Sequence, residues 1–176
     1  MFDLCLEWFR CLGGKTLTEQ ARQALVWITE LLRSNNVPFQ VIGGLAARAY
    51  GSTRPLRDID LYVPGDRLEQ VAMLAAEYVV RGPWHQRDER WDIAFMALDY
   101  GGQRIELGGA EGRYYDSKAA CWRLADIDFE RSELREVFGV TTPLMPREQL
   151  IEYKRRLGRP VDLVDLEELA ESVAQR

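Results

Sequence analysis

Residues 41–63 read VIGGLAARAYGSTRPLRDIDLYV and contain the pattern that decides the fold. Its acidic end, Asp58-Ile59-Asp60-Leu61, alternates charged and apolar residues, which is typical of a strand with one buried face. Because side chains two positions apart on a strand share a face, Asp58 and Asp60 project together. Two neighbouring carboxylates repel each other unless a cation or a proton intervenes, and oxygen ligands of this kind suit Mg²⁺. Such a pair also occurs by chance on solvated strands.

Gly43-Gly44 lies upstream, between a short apolar run at 39–42 and a short helical segment at 45–50. Glycine allows the backbone to come close to a ligand, and free N–H groups at such a corner can bind an anion. An ordinary strand-to-helix turn would have the same sequence. The glycine pair alone is therefore weak evidence for a phosphate site.

The combined pattern is more specific: an apolar residue, Gly43-Gly44, 13 further residues, and then the alternating segment at 58–61. It resembles the signature of the DNA polymerase β-like nucleotidyltransferase superfamily, in which a glycine turn precedes a strand with paired acids. The resemblance implies an α+β fold with a mixed sheet and a C-terminal helical hairpin. It also implies an enzyme that moves a nucleoside monophosphate from an NTP, with ATP expected, to a hydroxyl acceptor, using Mg²⁺ or Mn²⁺.

That superfamily takes a third carboxylate from a neighbouring strand, and Glu106, which lies between two apolar residues, is the best match. Its apolar neighbours would face the core, so Glu106 would point the same way as the acidic pair. The superfamily more often has aspartate here, and Asp92 and Asp99 are the alternatives. The resemblance implies that Asp58, Asp60 and Glu106 are metal ligands and catalytic residues.

Further polar residues could contact the nucleotide. Those just before Asp58 could donate to a phosphate, although a solvated turn would have the same composition. The tail at 145–169 resembles the helical hairpin of small bacterial relatives of lincosamide and aminoglycoside nucleotidyltransferases, in which a lysine lies beside the site. For Asp162 and Asp165 in this tail we predict a structural role that ties its two helices together. The expected nucleotide-binding residues are Gly43, Gly44, Ser52, Thr53, Arg54, Arg57 and Lys154.

Length and composition limit the remaining possibilities. The 176 residues predict a nucleotidyltransferase core at 16–144, a helical extension at 1–15 and the hairpin at 145–176. The net charge of −5 argues against a chain-wide interface with nucleic acid. The three cysteines lack metal-ligand spacing, and no apolar run reaches the length of a membrane span. These features predict a soluble, cytoplasmic protein.

The rest of the chain mixes helical and strand patterns. A capping box at Thr16 and Glu19 predicts a helix that ends at 34–36, and another helix should bury Leu68, Val71 and Leu74. The last helix should bury an apolar face that includes Val164. The expected strands are 39–42, 58–63, 92–98, 103–107 and 137–141, with an edge strand at 79–80 and loops at 85–90 and 108–115.

Two other functions fit the same residues. Nucleotidyltransferase-like domains also occur as protein partners in toxin–antitoxin pairs, and a nucleotide-binding sensor without chemistry would need the same phosphate and metal ligands. Intact Asp58 and Asp60 argue against simple decay of the site, whereas glutamate at position 106 leaves the question open.

Overall fold

The structure is a computed structural model that describes residues 17–174 of the chain. The predicted extension at 1–15 and the capping residue Thr16 lie outside this range. The first helix, α1, spans Leu17–Ser34. Leu25, Ile28 and Leu32 lie along one side of this helix and have no exposed surface.

Within residues 17–174, nine strands form one mixed sheet. The central strand β2, Asp58–Val63, lies parallel to β5, Gln103–Gly109, and antiparallel to β1, Gln40–Val41. The strand β4, Trp91–Tyr100, pairs antiparallel with β5. The other strands are β3 (Val79–Arg87), β6 (Arg113–Asp116), β7 (Cys121–Leu124), β8 (Glu133–Val137) and β9 (Val140–Leu144). The strand order is β7-β6-β4-β5-β2-β1-β9-β8, and β3 pairs with β4.

The predicted edge strand at 79–80 is the start of β3, which pairs only with β4 among the described strands, but it is longer than predicted and continues through Arg87, so the predicted loop at 85–90 is confined to 88–90. His85, Gln86 and Arg87 pair with residues of β4 in regular antiparallel register. His85 and Arg87 alternate with Trp84 and Gln86, so the first two occupy the exposed face of the strand while the other face turns toward the protein. A sequence of charged residues does not reveal that the neighbouring strand supplies its hydrogen bonds.

Two other strand assignments also need correction. The predicted strand at 137–141 is interrupted by a turn, because Phe138 and Gly139 have positive φ values of 54° and 74°. Two such residues favour a tight hairpin, and here they join β8 to β9. The predicted loop at 108–115 is also partly strand, since its start belongs to β5 and its end to β6.

Gly43-Gly44, which we call the glycine corner, begins α2 (Gly43–Ala49). The other helices are α3 (Leu68–Leu74), α4 (Arg147–Leu157) and α5 (Pro160–Ala174). The predicted C-terminal pair is confirmed, and Gly158 ends α4 with a φ of 63°. Leu74 and Val164 are 43% and 44% exposed, contrary to prediction. In α5 the buried face contains acids, since Asp162 and Asp165 have no exposed surface.

No helix among the described residues is long and apolar enough to cross a membrane. The domain boundaries predicted from the sequence stay predictions.

Candidate active site

Three carboxylates converge on one face of the sheet. Asp60 lies directly opposite Glu106 in the parallel register of β2 and β5, and Asp58 lies two residues before Asp60 on the same face. One oxygen from each of the three side chains lies within 4.8 Å of the other two. We call Asp58, Asp60 and Glu106 the carboxylate cluster. Its all-oxygen composition and close spacing fit a divalent cation such as Mg²⁺.

The glycine corner lies directly against this cluster. Gly43 has a φ of +63°, and a Cβ atom there would lie 2.0 Å from Asp60 Oδ2. The Ile42 amide donates to the Asp60 carbonyl at 2.9 Å, which fixes the turn to the middle of β2. Glycine is therefore required at 43 for two reasons: its backbone conformation and the space that Asp60 occupies.

Electrostatic repulsion within the cluster is visible at its central member. Burial raises the pKa of Asp60 to about 8, and the nearby charges of Asp58 and Glu106 add to this effect. Arg159 and Lys154 act in the opposite direction without cancelling it. A cation bound by the cluster would supply the missing positive charge, so the residues present fit a divalent metal.

The two alternative acids lie elsewhere. Asp92 accepts hydrogen bonds from His85 Nε2 at 2.7 Å and from Arg113 Nη2 at 2.9 Å. Asp99 accepts from the amide of Gly102 at the hairpin turn. Neither belongs to the carboxylate cluster, so Glu106 is the acid that the structure brings to the predicted pair.

Glu106 also contacts a neighbour on its own strand. Its Oε1 accepts a hydrogen bond from Arg104 Nε at 2.5 Å, and the side chain of Glu106 remains 24% exposed. The contact holds one carboxylate oxygen in place and leaves Oε2 available to a ligand.

A pocket of about 260 Å³ opens beside the cluster. Gly43, Asp60 and Glu106 line one side of it, and the strands β3 and β4 line another. The remaining lining residues are mostly aromatic, apolar or basic: Ile42, Leu61, Tyr62, Arg81, Trp84, Gln86, Trp91, Ile93, Phe95, Arg104, Gly108, Tyr153 and Arg159.

Lys154 lies in a buried group of opposite charges rather than at the pocket surface. It is 1% exposed, and its Nζ lies 2.8 Å from Asp165 Oδ2 and 3.4 Å from Asp162 Oδ1. Arg54 forms two hydrogen bonds with Asp165, at 3.0 and 3.2 Å. Arg159 forms two with Asp162, at 2.7 and 3.0 Å. We call these five residues, Arg54, Lys154, Arg159, Asp162 and Asp165, the ionic network.

The turn before β2 is attached to α5, the helix that contains Asp162 and Asp165. Ser52 Oγ lies 2.6 Å from Glu168 Oε2, and Thr53 donates to Glu168 through its amide and its hydroxyl. These hydrogen bonds lower the pKa of Glu168 to about 2. Ser52 is 4% exposed, whereas Arg57 at the other end of the turn is exposed. Thr53 is exposed as well, but Glu168 already accepts hydrogen bonds from its amide and its hydroxyl.

Arg54 connects the ionic network to the glycine corner. Its Nη2 lies 2.8 Å from the position that a Cβ atom would take at Gly44. The same guanidinium interacts electrostatically with Asp58. Asp165 therefore holds the positively charged guanidinium of Arg54 between the glycine corner and the carboxylate cluster.

Comparison with known proteins agrees with this geometry. Residues 24–136, which are more than half of the chain, match the family described as "Aminoglycoside-2''-adenylyltransferase". The chain belongs to this family. No curated protein matches this chain by sequence.

Solved structures share the fold of this family member. A protein from Thermotoga maritima described as a nucleotidyltransferase has a TM-score of 0.66 and 21% identity, over 88% of this chain and 92% of that one. The structure of ANT(2'')-Ia with adenylyl-2''-tobramycin has a TM-score of 0.58 and 17% identity, over 87% of this chain and 89% of that one. The structure of the lincosamide adenylyltransferase LnuA with lincomycin has a TM-score of 0.56 and 13% identity, over 84% of this chain and 95% of that one. At these identities the likeness establishes the fold alone.

Sequence reasoning did not assign one pocket residue of this family member, Arg159. It lines the pocket, its side chain is 28% exposed, and its guanidinium is oriented by Asp162. The resemblance of the tail at 145–169 implied that both Lys154 and Arg159 lie beside the site, and in the structure Arg159 lines the pocket whereas Lys154 is buried.

Proposed function

We propose that the chain transfers a nucleoside monophosphate, most simply AMP from ATP, to a hydroxyl group and releases pyrophosphate. The observation that carries this proposal is the convergence of Asp58, Asp60 and Glu106 beside the glycine corner and the pocket. Membership of an adenylyltransferase family supports it, as do fold neighbours whose names describe adenylyl transfer to antibiotics.

In this proposal the carboxylate cluster holds Mg²⁺ or Mn²⁺. Three oxygen ligands within 4.8 Å of one another match the preference of these ions, which usually keep phosphate oxygens as further ligands. When bound, such an ion supplies positive charge against the phosphate oxygens. The raised pKa of Asp60 indicates that the cluster lacks this charge by itself.

Positively charged side chains and the open backbone would hold the triphosphate. Gly43 and Gly44 leave room for phosphate oxygens close to the main chain. Arg54 lies over the corner and Arg57 is exposed nearby, so both can balance phosphate charge. Lys154 would contribute through Asp165, which orients Arg54, unless nucleotide binding releases it from its two acidic partners.

The acceptor hydroxyl would enter from the pocket. Its oxygen forms a bond to the α-phosphorus, the bond from that phosphorus to the pyrophosphate oxygen breaks, and the hydroxyl proton goes to Glu106 Oε2. Arg104 holds the other oxygen of Glu106, which limits the rotation of the carboxylate. Catalysis in this arrangement consists mainly of positioning and charge stabilisation.

A pyrophosphate-release assay with Mg²⁺, each of the four NTPs, and tobramycin or lincomycin as acceptor tests the proposal. We expect release that EDTA abolishes and that Asp60→Asn reduces by at least about 10²-fold, since removal of a charged catalytic group has effects of this size. Asp92→Asn is the matched control, because Asp92 lies outside the cluster.

Each result would separate this proposal from its alternatives. Release that continues unchanged in Asp60→Asn would contradict the assignment of the cluster. Mg²⁺-dependent nucleotide binding without release, with these and other hydroxyl compounds, would favour a sensor or a protein partner of the toxin–antitoxin type.

A further inference from the structure

Two buried tyrosine hydroxyls lie at the pocket without a full set of hydrogen-bond partners. Tyr62, on β2, and Tyr153, on α4, both line the pocket and are 2% and 6% exposed. Their hydroxyl oxygens lie 3.5 Å apart, and neither has another hydrogen-bond partner in the part of the chain from 17 to 174. Because only one of the two hydroxyls can donate to the other, one phenolic proton is left without an acceptor.

These hydroxyls are not explained by the stability of the fold. A separation of 3.5 Å is longer than an ordinary hydrogen bond between hydroxyl groups, and buried polar groups normally have better partners. Phenylalanine at both positions would fill nearly the same space without burying a poorly paired hydroxyl. The pair therefore favours a ligand in the pocket that accepts hydrogen bonds.

The guanidinium of Arg159 also has an edge without a partner. Its Nε and Nη2 donate to the two carboxylate oxygens of Asp162, at 2.7 and 3.0 Å. Such a two-point contact fixes the plane of the guanidinium. The remaining nitrogen, Nη1, donates to no described residue, and the side chain lines the same pocket. Arg159 is thus held in one orientation with two N–H groups available to a ligand.

All three side chains lie close to the carboxylate cluster. Tyr62 follows Asp60 by two residues on the same face of β2, and Arg159 interacts electrostatically with Asp60. The guanidinium carbon of Arg159 lies 5.9 Å from the centre of the Trp91 ring on β4. The glycine corner instead follows β1, and the strand order is β4-β5-β2-β1. Along the sheet, the cluster on β2 and β5 therefore lies between the glycine corner and Arg159.

The chemistry of these groups indicates what they bind. A guanidinium and two phenols supply N–H and O–H donors, and together they suit an anionic oxygen. A phosphate oxygen fits this position, because the adjacent cluster has the composition of a site for a divalent cation that shares phosphate ligands. With the pyrophosphate at the glycine corner, the phosphate above the cluster is the α-phosphate. Its non-bridging oxygens carry the charge of the group that is transferred.

We propose that Arg159, Tyr62 and Tyr153 form an oxyanion subsite, which binds a non-bridging oxygen of the α-phosphate during transfer. This proposal rests on the proposed function for the reaction itself. The three side chains only donate hydrogen bonds: the acceptor oxygen bonds to the α-phosphorus, the bond to the pyrophosphate oxygen breaks, and the hydroxyl proton goes to Glu106. Because Asp162 orients Arg159 before the substrate arrives, the subsite stabilises this charge without rearrangement.

Removing the two hydroxyls gives a test that needs no turnover. Calorimetric titration with α,β-methylene-ATP and Mg²⁺ compares the full chain with the double variant Tyr62→Phe, Tyr153→Phe. We expect the double variant to bind about tenfold or more weakly, as the loss of hydrogen bonds to a charged group predicts. Its affinity for adenosine, which has no phosphate, should be unchanged. Tyr115→Phe is the matched control, because Tyr115 lies outside the pocket.

Urea unfolding of the double variant separates ligand binding from a structural role. Since the two hydroxyls are poorly paired in the fold, the midpoint of unfolding should be equal to that of the unmodified protein or higher. A purely structural hydrogen bond predicts the reverse: a lower midpoint and an unchanged affinity for α,β-methylene-ATP. That pair of results would overturn the subsite.

Arg159→Gln, titrated with the two diastereomers of ATPαS in the absence of an acceptor, tests which oxygen is bound. Each isomer replaces one non-bridging oxygen of the α-phosphate with sulfur, a weak hydrogen-bond acceptor. We expect one isomer to bind the unmodified protein about tenfold more weakly than ATP, with Mg²⁺ and with Mn²⁺ alike. Arg159→Gln should bind ATP and this isomer almost equally, because the contact is already lost. Arg155→Gln, which changes an exposed arginine of α4, should retain the difference.

The remaining outcomes distinguish the subsite from the proposed function. A raised KM for tobramycin in the double variant, with unchanged affinity for the nucleotide, would assign the hydroxyls to the acceptor and contradict the subsite. Pyrophosphate release at the same rate in the double variant and in Arg159→Gln would contradict the subsite but not the proposed function. Nucleotide binding that depends on all three side chains without any release would support the subsite while contradicting the proposed function.

Discussion

The carboxylate cluster and the ionic network both contain buried or half-buried charges, but only the network balances them. In the network, Asp165 is fully buried, and although burial raises its pKa, hydrogen bonds from Arg54 and Lys154 lower it by more. In the cluster, burial and two neighbouring acids raise the pKa of Asp60 to about 8. The network is complete within the protein, whereas the cluster requires a positive charge from outside it.

This difference separates side chains that maintain the structure from those available to ligands. Groups with internal partners, such as Lys154, lose more by binding a ligand, because their own partners would be left buried and unpaired. Groups without balancing charge gain stability when a cation arrives. The following predictions test whether the two groups differ in this way.

The largest effect is expected when the third carboxylate loses its charge. Glu106→Gln should lower the rate of pyrophosphate release by about 10²- to 10⁴-fold, as removal of a general base does, with little loss of stability. Asp99→Asn, at the turn of the adjacent hairpin, should leave the rate within about twofold, since surface changes have small effects. Comparable losses in both variants would contradict the assignment of Glu106.

Removing the central cation of the network should mainly reduce stability. Lys154→Met leaves Asp162 and Asp165 with less positive charge in a buried environment, and breaking a buried ion pair in this way costs about 3–5 kcal/mol. Urea unfolding measures the change. The matched control is Lys118→Met, because Lys118 is exposed and its substitution should cost less than about 0.5 kcal/mol.

The result for Lys154 would also show how it acts. A stable Lys154→Met protein with a strongly raised KM for ATP would contradict the structural role and favour direct contact with the nucleotide. Destabilisation that Asp165→Asn partly reverses in the double variant would support the network.

The glycine corner, which adjoins both groups, should be sensitive to a single added methyl group. Gly43→Ala should destabilise the fold by about 1–2 kcal/mol, the usual cost of a left-handed conformation. It should also lower activity, because the added carbon would overlap Asp60 Oδ2. Gly101→Ala is a close control, since Gly101 has nearly the same φ, +61°, and open space around it. Equal loss of activity in the two variants would argue against a role for contact with Asp60.

The sequence predicted the carboxylate cluster far better than the ionic network. The alternation at 58–61 and around Glu106 is a local pattern, and a strand with one buried face converts it directly into a shared direction. The predicted limits of β2 match the observed strand, Asp58–Val63. Only the pairing of β2 with β5 had to come from the resemblance.

The partners of the 52–54 turn could not be read from the sequence in this way. Ser52 and Arg54 contact residues more than 100 positions later in the chain. The expected apolar face of α5 was also partly wrong, because Val164 is 44% exposed, whereas Asp162 and Asp165 are buried and pair with Lys154 of α4, in agreement with their predicted structural role. Burial of an acid depends on its partner, and no local periodicity identifies that partner.

The position of Trp84 in the pocket was missed for a related reason. Trp84 lies in the segment between the predicted edge strand and the predicted loop at 85–90. The pairing with β4 extends β3 through this segment and turns Trp84 and Gln86 toward the pocket. Pairing between strands therefore decided a functional surface that propensity along one strand could not indicate.

The last expected effect is a dependence of stability on pH between about 4 and 8, which arises from the cluster because the pKa of Asp60 is raised into this range. Between pH values of about 4 and 8 the folded protein retains a proton at Asp60 that the unfolded chain has lost, since the ordinary pKa is 3.8. The free energy of unfolding should therefore decrease as pH rises through this window and level off above it. Asp60→Asn should remove most of this slope.

Thermal unfolding of the metal-free protein in EDTA, measured from about pH 5.5 to 8.5, gives the slope, and repeating it with Mg²⁺ tests its cause. Because the ion competes with the proton for the same carboxylates, its stabilising effect should grow with pH. Asp92→Asn should keep the slope of the unmodified protein, since Asp92 already has His85 and Arg113 as partners. A Mg²⁺ effect that is equal at both ends of the range would mean that Asp60 carries no excess proton, and the cluster would then be balanced internally as the network is.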